Sequence, residues 1–407
     1  MTSAKRRIRV RRWAIVVVAT ACVLLTGCST QVSGAVAPVT GSPGGTIVDD
    51  AAITTASNTT AAAPSAGSTP DSSAATPSGP AGWSAEVVPL GSVGMVSPTG
   101  ELTAQVIGDR VCFAPAGAVG SCAALAPGDS PTLALFSPDG EYLLVVAGHP
   151  PDIGAYVLAT EDASVRVLGP DGVRDFTTGS APPRWDLSSA AWGASGSSVL
   201  LLPMTDRSAG DLIEFDLTSG GVGSRIELPA ELANSSPSLW AAAGGIAVVP
   251  NIGALRDTLW WADTEGGGVR KLTEVAEHDA SLLLSAVDPT GRIVLVCPRS
   301  AAGFLGATVG VVIDTAQTSP LLKNSDSCAG AVFSADGRYL ATTAEVAGDY
   351  LLTIVDRASG ESVLVSSLDF PAAPKVPPLL TWHGDTIVAT TLSGDSATPT
   401  VLVRLTR

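Results

Sequence analysis

The chain has 407 residues, of which 45% are hydrophobic and only 15% are charged, and its formal net charge is −15 at pH 7. This length allows one large domain or two ordinary ones. The acidic balance argues against nucleic acid as a partner and against electrostatic docking on anionic lipid.

The first element in chain order has the organisation of an export signal. A basic segment of six Lys and Arg residues precedes the apolar run from Trp13 to Leu25, which is too short to span a bilayer. The four residues from Leu25 to Cys28 then resemble the lipoprotein signal-peptidase site of bacteria. That resemblance implies cleavage between Gly27 and Cys28, with acyl chains such as palmitate on Cys28. An ordinary signal peptide with an incidental cysteine is the alternative, and Arg11-Arg12 leaves both general and twin-arginine export open.

This signal predicts where the rest of the chain is found. We expect it on the extracytoplasmic face of the cell membrane, held by its acyl chains, because two or three chains give stable anchoring. No other apolar run approaches membrane-spanning length, so we expect a lipid-tethered domain outside the cytoplasm.

Residues 28–82 are predicted to be a disordered linker. After the lipidated cysteine they are mainly Ala, Ser, Thr, Gly and Pro, and such a composition cannot bury enough apolar surface to offset the entropy of ordering. A flexible stalk of this length reaches roughly 40 Å. Its Ser, Thr and Pro content also suits O-glycosylation.

Residues 83–407 contain a repeat. Each copy has an apolar residue, then Ser-Pro-Asp-Gly or a variant of it, then a β-rich run, and successive copies are 40 to 56 residues apart. Proline presets φ for the turn, aspartate bonds back to the backbone, and glycine supplies a positive φ. The seven copies begin at Val96, Phe136, Trp192, Trp240, Val287, Phe333 and Trp382.

Two further β-runs complete each copy, so each unit has four strands, which is typical of a propeller blade. We therefore predict an all-β fold, a seven-bladed β-propeller of four-stranded blades, with a pair of stacked β-sandwiches as the alternative. Residues Trp83–Leu90 precede the first copy. We expect them to pair with the C-terminal strand Val401–Leu405 and so complete the seventh blade.

The unit, as in Phe136-Ser137-Pro138-Asp139-Gly140, resembles the WD-like repeat of the TolB-type β-propellers over about 325 residues. Only four of the 23 basic residues are Lys, a bias typical of GC-rich genomes such as those of high-GC Gram-positive bacteria. Propellers of this type serve as protein–protein platforms. The resemblance implies a binding scaffold for envelope proteins.

Four cysteines remain after the signal and the lipidated Cys28. An even number in an oxidising compartment predicts disulfides, and three pairings are possible. Sequence proximity and the repeat favour Cys112–Cys122 and Cys297–Cys328. A zinc site is the rival interpretation, but the spacing is wrong and the three His residues are far apart.

A propeller has two faces. The turn face carries the turns between first and second strands and between third and fourth strands. The loop face carries the loops between second and third strands and the connections between blades. Those loops are predicted to be long here, and long loops on a rigid scaffold are where binding usually occurs. The predicted partner-binding residues are His149, Asp152, Asp206, Arg207, Arg256, Asp257, Arg299, Glu345 and Asp349, with Arg174 from an insert at 170–187. Ordinary solvated loop ends are the alternative.

Signatures of catalysis are missing from the sequence. The segment from Gly193 to Ser197 fails the Gly-x-Ser-x-Gly pattern at its last position, and aspartates after third strands (Asp216, Asp263, Asp314, Asp356) suit turn capping better than calcium. We therefore predict a monomeric, non-enzymatic scaffold without cofactor or metal. The alternatives are a propeller enzyme of the lactonase or quinoprotein type and a carbohydrate-binding protein using Trp260-Trp261. On a strand, one of these two tryptophans should be core and the other surface.

Overall fold

Seven antiparallel sheets follow one another along the chain in a computed structural model. The structure describes residues 83–91, 94–115, 120–149, 151–204, 209–253, 255–266, 268–274, 281–300, 306–320, 330–346, 349–368, 370, 378–390 and 400–406. The predicted seven-bladed β-propeller is confirmed. The export signal and the linker lie outside the described residues.

The first four blades follow in chain order. Blade 1 consists of β2 (Met95–Val96), β3 (Leu102–Ile107), β4 (Arg110–Pro115) and β5 (Cys122–Ala124). Blade 2 consists of β6 (Pro131–Phe136), β7 (Tyr142–His149), β8 (Asp152–Ala159), β9 (Val165–Gly169) and β10 (Gly172–Asp175). Blade 3 consists of β11 (Leu187–Trp192), β12 (Ser198–Pro203), β13 (Ala209–Asp216) and β14 (Val222–Pro229), followed by the single-turn helix α1 (Ala230–Ala233). Blade 4 consists of β15 (Ser238–Ala242), β16 (Gly245–Val249), β17 (Thr258–Asp263) and β18 (Val269–Glu274).

The last three blades close the ring. Blade 5 consists of β19 (Ser281–Val287), β20 (Ile293–Arg299), β21 (Val309–Val312) and β22 (Thr318–Pro320). Blade 6 consists of β23 (Ala331–Phe333), β24 (Tyr339–Val346), β25 (Asp349–Asp356) and β26 (Ser362–Leu368). Blade 7 consists of β27 (Leu379–His383), β28 (Thr386–Thr390), β29 (Thr400–Thr406) and β1 (Ser84–Gly91).

The first strand of each blade forms the inner wall of the ring. First strands of neighbouring blades contact one another, as β11 does with β15, β15 with β19, β19 with β23, and β23 with β27. The blades pack face to face through alternating apolar side chains; one buried cluster joins Leu144 of blade 2 to Leu201 and Phe215 of blade 3. Fully burying such a side chain contributes about 1.5–3 kcal/mol. The core is therefore a series of layers between blades.

The predicted closure by the N-terminal strand is confirmed. β1 pairs antiparallel with β29, from Ser84 opposite Thr406 to Gly91 opposite Thr400. Just before β1, the Trp83 ring packs edge-on against Tyr339 and Trp382, with centroids 5.4 and 6.4 Å away. The outermost strand of blade 7 thus comes from the opposite end of the chain to its other three strands.

The repeat motif forms the predicted turn, with one addition. Gly140 and Gly337 have φ of 78° and 67°, as the motif requires. The addition is the motif serine, which is buried: the Ser334 hydroxyl donates to Asp336 at 2.6 Å and accepts the Tyr339 N–H at 2.9 Å. Serine and aspartate together join the turn to the second strand.

Blade 4 departs from the motif. Its segment from Trp240 to Gly244 lacks proline and aspartate, which predicts a different turn, and the structure has one: β15 continues through Ala242 and the turn is the tight pair Ala243-Gly244. The first two strands of this blade therefore stay in register up to the pair Ala242–Gly245, with two residues in the turn.

Blade 2 departs in strand number, since the prediction was four strands and five are present. The predicted insert at 170–187 supplies β10, which pairs with β9. Its Val173 N–H donates to Gly220 O in the third-to-fourth-strand turn of blade 3. The extra strand thus fills the outer space between blades 2 and 3.

Across the residues that the structure describes, no helix is long and apolar enough to cross a membrane.

Candidate functional site

The inner wall of the ring is built from uncharged residues. As the structure bounds them, the seven first strands contain no Asp, Glu, Lys or Arg, and His383 at the end of β27 is their only titratable residue. Hydroxyl groups supply the polar atoms of the wall, and those of Ser188 and Thr381 are buried without a hydrogen-bond partner. The wall can donate and accept hydrogen bonds, and His383 is the one acid–base group in its described strands.

The loop face holds the predicted partner-binding residues that the structure describes. His149 and Asp152 end the β7–β8 hairpin of blade 2, and Glu345 and Asp349 lie at the end of the β24–β25 hairpin of blade 6. Arg299 ends β20 in blade 5. In blade 4, Arg256 and Asp257 precede β17, and Arg256 O accepts the Leu282 N–H of blade 5. Asp206 and Arg207 lie outside the described residues.

The loop face differs from the prediction in one respect. The loops between second and third strands that were expected to be long in blades 2 and 6 are hairpins with two residues between the paired ends, because the strands continue to His149–Asp152 and Val346–Asp349. The predicted residues that the structure describes are spread over blades 2, 4, 5 and 6. Arg174 is exposed on β10, next to the Val173–Gly220 contact with blade 3.

A buried polar cluster on this face was not predicted. Asp129, in the connection from blade 1 to blade 2, is 5% exposed and accepts two hydrogen bonds from the Arg184 guanidinium, at 2.8 and 2.9 Å. The hydroxyl of the fully buried Tyr156 also donates to Asp129. Burial and the neighbouring carboxylate raise the pKa of Tyr156, so the phenol stays protonated.

This cluster fastens the segment between β10 and β11 to the propeller. Beside Arg184, Trp185 forms a two-way backbone bridge with Ile153, and its indole N–H donates to Leu168 O at 2.9 Å. The 55-residue separation of Asp129 and Arg184 explains why no local sequence pattern revealed the pair.

Three of the four aspartates after the third strands cap turns, as predicted. Asp216, Asp263 and Asp356 each accept the backbone N–H two residues later, at 2.7–2.8 Å. These hydrogen bonds lower the pKa of Asp216 and Asp356 below the ordinary value of 3.8. Among the residues that the structure describes, no three His, Cys, Asp or Glu side chains come together to hold a metal ion.

The cysteines follow the prediction where they are described. Cys112 and Cys122 face each other on β4 and β5 and form a disulfide. Cys297 is buried and disulfide-bonded. Cys328 lies outside the described residues, so the Cys297–Cys328 pairing stays a prediction.

The tryptophan pair of β17 is mainly a packing element. Trp261 is 3% exposed, in the core between blades 4 and 5. Trp260 is half-buried on the other side of the strand, and its indole N–H donates to Thr258 at 2.8 Å. The expected alternation is confirmed, but neither ring is a fully exposed platform.

A shallow cavity of about 280 Å³ lies beside the β9–β10 turn. Pro170, Pro182 and Pro183 form much of its wall, with Asp171 and Arg174 at its polar edge. It lies outside the ring of inner strands, and Arg174 is the predicted partner-binding residue that borders it.

Comparison with known proteins gives structural similarity only. No protein-family model matches the sequence. No curated protein matches it either. An oligogalacturonate lyase in complex with manganese has a TM-score of 0.47 and 13% identity, over 77% of this chain and 88% of that one. An oligogalacturonate lyase from Vibrio parahaemolyticus has a TM-score of 0.48 and 12% identity, over 79% of this chain and 96% of that one. Similarity at this level carries neither a reaction nor a substrate to this chain.

Proposed function

We propose that the chain is a lipid-anchored, extracytoplasmic lipoprotein whose β-propeller acts as a protein-binding scaffold in the cell envelope. The observation that carries the proposal is the contrast between the two parts of the ring. Apart from His383, the first strands as the structure bounds them carry no acid–base group, whereas the hairpin ends of the loop face present exposed charges. Such an arrangement suits surface recognition better than acid–base chemistry inside the channel.

The anchor part of the proposal rests on the sequence from Leu25 to Cys28. Metabolic labelling of cells with a fatty-acid analogue tests it. We expect the label on the wild-type chain and none on a Cys28→Ala variant, which should also leave the membrane fraction. Retained label on the variant would refute the lipobox assignment.

The scaffold part is tested by affinity capture from native envelopes with the full chain as bait. We expect defined envelope proteins to be recovered, and the charge reversals Arg207→Glu, Arg256→Glu and Arg299→Glu to remove some of them. Recovery of the same proteins with every variant would place binding elsewhere than at these residues. Capture of no protein above a chain-free control would contradict the scaffold proposal.

The propeller-enzyme alternative makes a different prediction. A lactonase- or quinoprotein-like enzyme needs converging metal or cofactor ligands around the channel. Metal analysis of the full chain purified from its envelope separates the two proposals, since a stoichiometric metal would contradict the pure-scaffold function. The burial of Trp261 and the indole hydrogen bond of Trp260 likewise favour packing over sugar stacking at that pair.

A further inference from the structure

Large hydrophobic side chains are exposed at four places among the described residues. These are Ile107 at 59%, Val346 at 51%, Leu364 at 46% and Leu379 at 43%. Single exposed apolar residues are ordinary on protein surfaces, so the position of these four matters more than their number.

Three of the four lie on the loop face. Ile107 pairs with Arg110 at the end of the β3–β4 hairpin, and Val346 pairs with Asp349 at the end of the β24–β25 hairpin. Leu379 begins β27 opposite Thr390, where the second strand of that blade ends. The fourth residue, Leu364, is on the outer strand β26 instead. We call Ile107, Val346 and Leu379 the apolar tips.

The apolar tips belong to three consecutive blades. Ile107 is in blade 1, Leu379 in blade 7 and Val346 in blade 6. Blades 6 and 7 contact through β23 and β27. Blades 7 and 1 are in contact where Gly100 lies against Leu402. One arc of the ring therefore carries all three tips on the same face.

The charges beside two of the tips, Ile107 and Val346, are mainly acidic. Asp109, Glu345 and Asp349 are exposed next to Ile107 or Val346, against one exposed base, Arg110. The whole chain is acidic as well, with a formal charge of −15. A second copy or an anionic membrane would bring like charge to this arc, which costs association free energy. A basic partner would instead bring opposite charge, which favours association.

We propose that the arc of blades 6, 7 and 1 is the docking surface for a protein partner that presents aliphatic or aromatic anchors flanked by Lys or Arg. The inference rests on the proposed scaffold function and specifies the chemistry of its partner. Aliphatic side chains on hairpin ends cost little entropy to immobilise because the strands already fix their backbones, so they are suited to act as anchors.

A pair of synthetic amphipathic helical peptides tests the chemistry. One contains Leu and Lys, the other contains Glu in place of Lys with the same Leu positions, and each has about 18 residues or about 27 Å of helix. Fluorescence anisotropy with the purified full chain, at about 150 mM salt to screen distant charges, measures binding. We expect the lysine peptide to bind and the glutamate peptide not to bind.

Serine substitutions separate the tips from general acidity because they change no charge. The triple variant Ile107→Ser, Val346→Ser, Leu379→Ser should bind the lysine peptide about tenfold more weakly or worse, as expected when anchors are removed. Leu364→Ser is the matched control and should bind like wild type. Circular dichroism melting confirms that both variants fold. Equal binding by the triple variant and the control would overturn the proposal.

Three other outcomes would also overturn it. Sedimentation velocity that shows a dimer lost in the triple variant would make a second copy the occupant. Binding to anionic phospholipid vesicles that is lost in the triple variant would make a membrane the occupant. The third is that the envelope proteins captured by the wild-type chain are no longer recovered with Arg256→Glu and Arg299→Glu but are still recovered with the triple variant. In that case the scaffold function stands, and the arc of blades 6, 7 and 1 is not its docking surface. If capture recovers nothing, the scaffold function itself fails.

Discussion

At the scale of single residues, the stability of the turns depends on small polar groups that satisfy one another. In the sixth blade, the Ser334 hydroxyl and the Arg338 N–H both donate to the Asp336 carboxylate. These bonds, with the hydroxyl as the larger cause, lower the pKa of Asp336 below its ordinary value of 3.8. A lowered folded-state pKa means that the ionised group stabilises the fold.

The pH dependence of Asp336→Asn follows from that shift. The carboxylate contributes its full stabilisation well above pH 3.8, and the contribution is lost as the pH falls through 3.8 and then through the lower folded value. Urea unfolding should therefore show the variant less stable than wild type at pH 7, with the difference shrinking below pH 4. Ser334→Ala should make the unfolding free energy change less steeply with pH in the same acid range. The double variant Ser334→Ala, Asp336→Asn should show no smaller pH dependence than Asp336→Asn alone. A difference that stays constant with pH would contradict this account.

A second residue-scale prediction concerns Arg184. Its removal would leave the Asp129 carboxylate buried without its cation, and breaking a buried pair costs about 3–5 kcal/mol. Arg184 is itself 32% exposed, so we expect Arg184→Met to lose about 2 kcal/mol of unfolding free energy. Arg225→Met is the matched control, because its pair with Asp211 is exposed on both sides and should contribute less than about 1 kcal/mol. Equal losses would show that the buried Asp129–Arg184 pair contributes no more to the unfolding free energy than an exposed pair.

At the scale of elements, the turn of one blade is fitted against the turn of the blade before it. A Cβ on Gly291 would come within 2.0 Å of Ala243 O, and one on Gly337 within 2.5 Å of Asp288. Arg357 strengthens the second contact, since it binds Asp288 at 2.8 Å and also Gly337 O. The motif glycine is thus needed for contact between blades as well as for its own φ.

Two glycine variants separate these requirements. Gly291 and Gly244 have similar φ, 72° and 80°, but no atom lies near the Cβ position of Gly244. Both alanine variants should lose about 1 kcal/mol to left-handed backbone strain. Gly291→Ala should lose a further 2 kcal/mol or so, because the clash is with backbone that must move. Chemical denaturation of the two variants checks the difference, and equal losses would mean that the inter-blade contact is loose.

The sequence predicted those elements whose signals are local. The turn at Phe136 carries proline, aspartate and glycine in order, and the turn at Phe333 keeps the aspartate and glycine but has Ala335 in place of proline. The pairing of Cys112 with Cys122 follows from adjacent strands. In blade 4 the strand continues past Trp240, because an aromatic residue alone does not specify a strand end. The Asp129–Arg184 pair and the alignment of the apolar tips depend on which blades become neighbours, so only the folded ring reveals them.

At the scale of the whole molecule, the ring depends on one strand pair and one aromatic cluster. Trp83 holds the start of β1 by packing against Tyr339 of blade 6 and Trp382 of blade 7. Removing the indole would loosen the closing strand and both blades that it contacts.

We expect Trp83→Ala to lose about 2 kcal/mol of unfolding free energy, less than a fully buried tryptophan because the ring is half-buried. Limited proteolysis should also cleave the variant near β1 faster than wild type. Leu364→Ala, on the exposed outer strand of blade 6, should change stability by less than about 0.5 kcal/mol. Identical cleavage rates for wild type and Trp83→Ala would show that the strand is held by its backbone bonds alone.

The closing pair also sets an order in time. Among the described strands β1 comes first in the sequence, yet its partner β29 comes after all the others. β1 must therefore stay unpaired while six blades form. Ring closure joins the strands with the greatest separation in sequence, so we expect it to be the slowest pairing to form. A chain released early has no partner for that strand. The ring therefore closes only once β29 has been synthesised, after the strands of all the other blades.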